Sequence, residues 1–409
     1  MAKVVSSATQ TIAYSIATNN DGTVLLGGSD IYYSPYRTFV TKLNKDLTSA
    51  WVMGDSNSTG AERVDSLRYA DAGNFIYSDY PKNTSSFGSI ISATSTGSIT
   101  WTRTLSGTGA STGQVALGAA TDVYFTTCDA GTNNNATVKR SVIAKYNSSG
   151  TIQWQRYIDG GFTYQGSWGA DANRSTGNVY KAYSPTATAG SAGWPSIAKF
   201  NSSGTLQWSR GWAVGYTAYQ PTESLKLDAS ENVYWTGHDG GGNVYLYKLD
   251  ASGTELWKRK FTLSGLTPRG LSVDGAGNAY LHGSTSSTVN VIKYNASGAI
   301  QWQRSMAITG QSLTQSYDAT SQAANGTVAF VGHTTRAYYF RMPDDGSLTG
   351  AYAFNGETIT WATTAGTDAT ATQTFATNTD TAGTSSATDA ANSASNTTGT
   401  QTLTTRTIP

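Results

Sequence analysis

From Arg269 to Met306 the chain reads RGLSVDGAGNAYLHGSTSSTVNVIKYNASGAIQWQRSM. Apolar and polar residues alternate within four short runs, GLSVD, NAYLHG, NVIKYN and AIQWQRS, and a period of two is that of a strand. DGAGN, STSST and NASG separate the runs, and such residues either tolerate positive φ or hydrogen-bond their own backbone. The segment reads as four antiparallel strands joined by tight turns.

The pattern recurs. A Gly-x-x-x-Trp step marks its last hairpin at Gly97–Trp101, Gly150–Trp154, Gly204–Trp208, Gly253–Trp257 and Gly298–Trp302. Trp51, with Leu47 in the glycine place, adds an earlier copy. YYFRMPDDGSLTGAYAF adds a degenerate last one, with Gly346 and Gly350 in the Gly and Trp places. The second strand opens as GNFI at Gly73, GNVY at Gly177, ENVY at Glu231 and GNAY at Gly277. Seven four-stranded units spaced about 45–54 residues apart predict an all-β fold, a seven-bladed β-propeller of four-stranded antiparallel blades over residues 1–360. Six blades with one outlying unit is the alternative. Trp51, Trp101, Trp154, Trp208, Trp257 and Trp302 are expected to plug the spaces between blades. Asn147, Asn201, Asp250 and Asn295 are expected to shape the hairpin turns, and Arg103, Arg156, Arg210, Arg259 and Arg304 to share the Trp face. The last strand of copy seven falls at about Leu348–Phe354, so no strand visibly crosses the seam. KVVSS (Lys3–Ser7) and GETITWAT (Gly356–Thr363) are candidates for an extra edge strand.

The signature S-V-D-x-x-G-N-x-Y-x-x-G-S followed by K-x-[ND]-x-S-G-x-x-x-W resembles the SBBP-type β-propeller repeat family over residues 10–355. The resemblance implies a seven-bladed propeller and no particular activity. A weaker likeness, through the Gly-x-x-x-Trp step, is to the tryptophan-docking repeats of quinoprotein dehydrogenases. The vicinal cysteine pair of many such enzymes has no counterpart in a chain with one cysteine, Cys128.

Residues 361–409 change character. This segment is dominated by Thr, Ala and Ser and carries one Arg and no Lys. Such a composition cannot bury enough apolar surface to order itself, so the segment reads as an extended C-terminal arm that needs a partner: the propeller, sister copies or another protein. Stretches such as TQTLTTRTI suit strand addition to a sheet. In style the arm resembles those that tie subunits together in bacteriophage virion proteins.

Composition narrows the function further. Charged residues make up only 13% and the net charge is +1, which gives no footprint for nucleic acid or an anionic membrane. A single cysteine excludes an internal disulfide. No apolar run is long enough to span a membrane, and the first residues lack the apolar core of a secretory signal, so synthesis in a host cytoplasm is expected. His238, His282 and His333 fall near the ends of second strands on one rim, without a recurring carboxylate beside them. Asp71, Asp228 and Asp274 read as turn caps. Lys42, Lys145, Lys199, Lys248 and Lys293, with Arg341, form a ladder read as structural rather than phosphate-binding. No catalytic residue, cofactor or metal site is assigned. Aromatic residues among Gly, Ser and Pro are the candidates for recognition: Tyr32, Tyr33, Tyr36, Trp194, Trp212, Tyr216 and Tyr219. The expectation is a non-enzymatic virion structural protein, a tail, baseplate, fibre or decoration component, that contacts other virion proteins and further copies of itself. A glycan- or protein-binding propeller at a cell surface is the alternative, followed by a propeller enzyme.

Overall fold

The computed structural model describes residues 2–6, 11–30, 37–55, 61–81, 89–106, 113–130, 139–159, 164–186, 195–212, 224–238, 242–310, 320–323, 326–333, 337–354, 357–371, 375–377, 381–384, 388–391, 396–398 and 402–406. The fold is an all-β propeller of four-stranded antiparallel units laid down in chain order. In copy six, Thr267–Val273 pairs with Ala279–Ser284, which pairs with Val289–Tyr294, which pairs with Ile300–Ile308. The first strand of each copy packs on the first strand of the next. Thr320–Ala323 of copy seven in turn packs on Thr11–Thr18 of copy one, which closes a ring. Clusters of buried apolar side chains fill the spaces between consecutive copies. Burial of these surfaces, at about 25 cal/mol per Å2 of apolar area, is what holds unit to unit.

Among the described residues the hydrogen-bonded sheets number six, where the pattern predicts seven separate blades. Copies three and four share one ten-stranded sheet, because the long first strand of copy four, Tyr164–Ala172, reaches its neighbour and forms a parallel bridge, Lys139 to Tyr164. A second correction concerns the seam. Gly350–Phe354 does not complete copy seven; it forms a hairpin with Glu357–Thr363 that lies on the outer edge of copy six. Ile359 and Trp361 of that hairpin are buried in the cluster between copies six and seven, and this burial draws the segment there. The fourth strand of copy seven is instead Ala2–Ser6, antiparallel to Ala337–Pro343. The N-terminal segment thus crosses the seam.

The arm is not a free extension. It turns back at the Gly350–Thr363 hairpin and runs round the ring against the order of the copies, adding an outer antiparallel strand to each. Thr367–Thr370 joins copy five, Phe375–Thr377 copy four, Thr381–Thr384 copy three, Thr388–Ala391 copy two, Asn396–Thr398 copy one and Thr402–Arg406 the seam strand Ala2–Ser6. The arm therefore spends its described strands on this molecule, where the sequence left the partner open. Its register is regular. The residue two after each repeat tryptophan faces an arm residue seven further on each time: Arg304 faces Thr363, Arg259 Thr370, Arg210 Thr377, Arg156 Thr384, Arg103 Ala391 and Met53 Thr398. The next position in that series, Thr405, faces Lys3. From Glu357 the arm is a run of seven heptads, ETITWAT, TAGTDAT, ATQTFAT, NTDTAGT, SSATDAA, NSASNTT and GTQTLTT. One heptad serves each copy.

Candidate functional site

The recurring chemistry of this chain is used first to fasten copy to copy. In each hairpin between third and fourth strands, one residue of the fourth strand is extra. In copy three, Lys145 faces Trp154 and Tyr146 faces Ile152, so Gln153 is bulged out. The same bulge recurs at Gln207, Leu256 and Gln301, and it explains why Leu256 is exposed. A bulge of this kind re-aims the residues after it. Trp and Lys now point together at the next copy and share one carbonyl there. Trp154 Nε1 and Lys145 Nζ both donate to Ser202 O, at 3.0 and 3.1 Å. Trp208 and Lys199 both donate to Ala251 O at 3.0 Å, and Trp302 and Lys293 both donate to Asp344 O at 2.9 and 3.0 Å.

The turn that offers the carbonyl is built for the purpose. Asn147 Oδ1 accepts the backbone N–H groups of Ser149 and Thr151, and Gly150 takes the left-handed conformation at φ +74° with the Trp101 ring against it. Arg103 Nε donates to Gly150 O at 2.6 Å and Arg156 Nε to Gly204 O at 3.0 Å. The predicted plugging role of the six tryptophans thus has a geometry: each ring lies on the glycine of the following copy. The seam is built differently. Leu47, in the glycine place, holds φ +66° and is buried in the cluster between copies seven and one. Arg341 Nη2 also crosses there, to Gly22 O at 3.2 Å.

A carboxylate knot lies between copies four and five. Glu231, where most copies have glycine, holds φ +60° and is buried. Its carboxylate accepts from Thr176 Oγ1, Asn178 Nδ2, Tyr180 OH at 2.7 Å and Lys199 Nζ at 3.1 Å. Burial alone would raise its pKa; these donors overcome that and hold it down to about 2. Tyr180 is pushed well up, by burial first and then by Glu231.

The candidate site for a ligand is the axial mouth where the first strands end. A cavity of about 1030 Å3 opens there, lined by the turns of copies one, two, four, five and six. Asp21, Lys42, Arg68, Asp71, Asp171, Arg174 and Lys226 bring the charge. Arg174 spans the mouth from copy four to copy two, donating to Asp71 Oδ1 at 3.2 Å and to Tyr69 O at 2.6 Å. It passes copy three, whose turn there carries only Ala119, Ala120 and Thr121. Asp171 accepts from the backbone N–H groups of Leu227 and Ala172, and Asp21 from Thr23. The cavity's carboxylates are thus engaged by the protein, and the mouth is lined with polar groups.

The aromatic candidates Tyr32, Tyr33, Tyr36, Trp194, Tyr216 and Tyr219 lie outside the described residues. Trp212 ends a strand whose backbone pairs with Phe375 of the arm, and its side chain is outside the description. Asp228 and Asp274 cap turns as expected: each accepts two backbone N–H groups and an Asn side chain. Among the described residues, no three His, Cys, Asp or Glu side chains gather as a metal site. His282 is wholly buried against Phe330 with neither nitrogen hydrogen-bonded, and burial pushes its pKa down to about 3. The mouth's cations were passed over in the sequence because they sit at the ends of first strands, the least regular part of each copy. The charged turn DANRST, beside Ala-rich GAAT in the preceding copy, was the available signal.

No family model matches the sequence, and neither does any curated protein. Among solved structures, the chain is similar to Sqt1 from Chaetomium thermophilum bound to the N-terminus of ribosomal protein L10, with 11% identity and a TM-score of 0.47 over 83% of this chain and 98% of that one. It is similar to the Dos1 propeller, with 11% identity and a TM-score of 0.47 over 87% and 94%. It is also similar to a quinohemoprotein alcohol dehydrogenase from Pseudomonas putida HK5, with 10% identity and a TM-score of 0.46 over 80% and 66%. These likenesses are too distant to bear on function, and the propeller assignment rests on the strand pairing.

Proposed function

We propose that this protein is a non-enzymatic structural component, of the virion type expected from the sequence, whose propeller is a rigid bearing surface bound by its own arm. Counting the ten-stranded sheet as two blades gives a ring of seven, each carrying one heptad of the arm. The supporting observation is that girdle. A chain that closes its seam with one terminal segment and covers each copy's outer edge with the other leaves few strand edges for stray pairing and resists local opening. Such a build suits a part exposed outside a cell, and other virion proteins would meet it through the loops. Density-gradient fractionation of a lysate from the natural source, probed with an antibody to the chain, tests the reading. Co-banding with particles is expected; recovery only in the free protein fraction overturns it.

The axial mouth favours a second reading, a glycan- or peptide-binding module. Its test is a melting-temperature screen against oligosaccharides and short peptides. A saturable rise abolished by Arg174→Ala, a variant that itself stays folded, is the expected result for that reading.

A further inference from the structure

The arm and the rim are two matched repeats. Seven heptads, six with Thr, and one with Ser, at the fourth place and six with Thr at the seventh, meet outer strands that share one register. The two ends of this match are held differently. In the first heptad Ile359 and Trp361 are buried and fix it by side-chain packing. In the second, Thr367, Ala369 and Thr370 are exposed, and the backbone ladder is joined by a few side-chain contacts: buried Thr364 donates to Asn290 Oδ1 at 3.4 Å, Gln303 Nε2 donates to Gly366 O at 3.1 Å and Asp368 accepts from Tyr294 OH at 3.0 Å. A backbone ladder does not distinguish one chain from another. Seven residues of extended chain span at most about 25 Å, so the heptad length also sets how far each strand can reach along the rim.

We propose that the rim of the propeller is a strand-binding surface for this heptad repeat, and that the arm of a second copy of this chain occupies it whenever the chain's own arm is displaced. The partner follows from the match itself: the strand with this period and composition is the one this chain carries. The first heptad stays with its own propeller through Ile359 and Trp361, and the later heptads are exchanged. The places that vary and face the propeller carry the selectivity for position: the fifth, which runs Trp361, Asp368, Phe375, Ala382, Asp389, Asn396 and Leu403, with the first and third, where Thr364, Ala371 and Ile359 are buried. In the first two heptads the fifth place is turned toward the propeller.

The test compares the full-length chain with a full-length variant lacking residues 372–374, which leaves the third heptad too short a tether to reach copy four. The native chain is expected to be monomeric. The variant is expected to associate through its unseated heptads into dimers and larger species at micromolar concentration. An excess of a synthetic peptide of residues 375–409 should return it to monomers. A control peptide with one connecting residue removed per heptad should bind at least tenfold more weakly. In a second measurement independent of the variant, isotopically heavy and light native chains are warmed together to the onset of melting and cooled, and native mass spectrometry should find mixed dimers. A variant that stays monomeric and ignores the peptide, together with no mixed dimers, overturns the proposal. So do oligomers that the peptide does not disperse, and equal binding of the two peptides.

Discussion

At the scale of the residue, the glycine of Gly-x-x-x-Trp answers two demands at once, and they can be separated. Gly298 holds φ +81°, and a Cβ there would lie 2.8 Å from the Trp257 ring; Gly265 holds φ +72° with nothing within 4 Å. Gly265→Ala should cost about 1 kcal/mol, the strain of a left-handed alanine. Gly298→Ala adds displacement of the ring and should cost about 2–4 kcal/mol. Denaturant unfolding of the two variants checks the difference, and equal losses would mean that the ring does not rest on the glycine. Glu231 and His282 both weaken the fold as the pH falls, over different ranges. The Glu231 carboxyl, held at about 2 against 4.5 unfolded, contributes on the order of 3 kcal/mol that is present above pH 4.5 and lost as pH falls toward 2. His282 is kept neutral down to about 3 while the unfolded chain protonates near 6.5, so stability falls by about 1.4 kcal/mol per unit as pH drops between those values. His282→Leu removes a buried imidazole without partners, and should both stabilise the protein and flatten its acid limb between pH 6 and 4. Thermal melts across that range read both effects. Neither residue announced itself in sequence: Glu231 looked like a variant of the GN entry, and His282 like a rim residue, because what sets each apart is the neighbouring copy.

At the scale of the element, most of what was legible came from turns. Asn147, Gly150 and Trp154 could be placed because a hairpin is a local structure whose residues carry their own geometry. The bulge was also latent in sequence, since Ile152 and Trp154 would share a face of a regular strand but serve different interfaces here. The fourth strand of copy seven falls elsewhere than the pattern predicts because pairing between Ala2–Ser6 and Ala337–Pro343 links segments from opposite ends of the chain: KVVSS reads locally as an edge strand, but nothing local names its partner. The arm leaves its partner open in the sequence for another reason. Its composition is that of an unstructured segment, yet its phase is regular, with Thr360, Thr367, Thr374, Thr381, Thr388, Ser395 and Thr402 seven apart. Phase can be tested by deletion. Removing the whole heptad Asn378–Thr384 should move each later heptad back by one copy and leave the seam strand alone uncovered. Hydrogen exchange should then lose protection at Lys3–Val5 and keep it at Arg103–Leu105. Loss of protection on every copy after the deletion would show that the heptads are individually matched.

At the scale of the whole molecule, the ring is closed twice, once by Ala2–Ser6 on Ala337–Pro343 and again by Thr402–Arg406 on Ala2–Ser6. The second pairing places Ala2 opposite Arg406, so the two ends of the chain leave the same corner of the rim. That arrangement has a mechanical meaning. Tension applied between the termini loads the ladder as a zipper is loaded, one rung at a time, whereas the long strands beneath stay unloaded until the girdle has gone. Held between two beads in an optical trap, the protein should lengthen first in a train of small, low-force, reversible steps, each releasing about seven residues or roughly 25 Å of contour, before any blade opens. A single large rupture in place of that train would mean that the girdle and the blades yield as one body. A protein anchored by its ends would therefore carry a soft, self-rewinding spring in series with a stiff wheel.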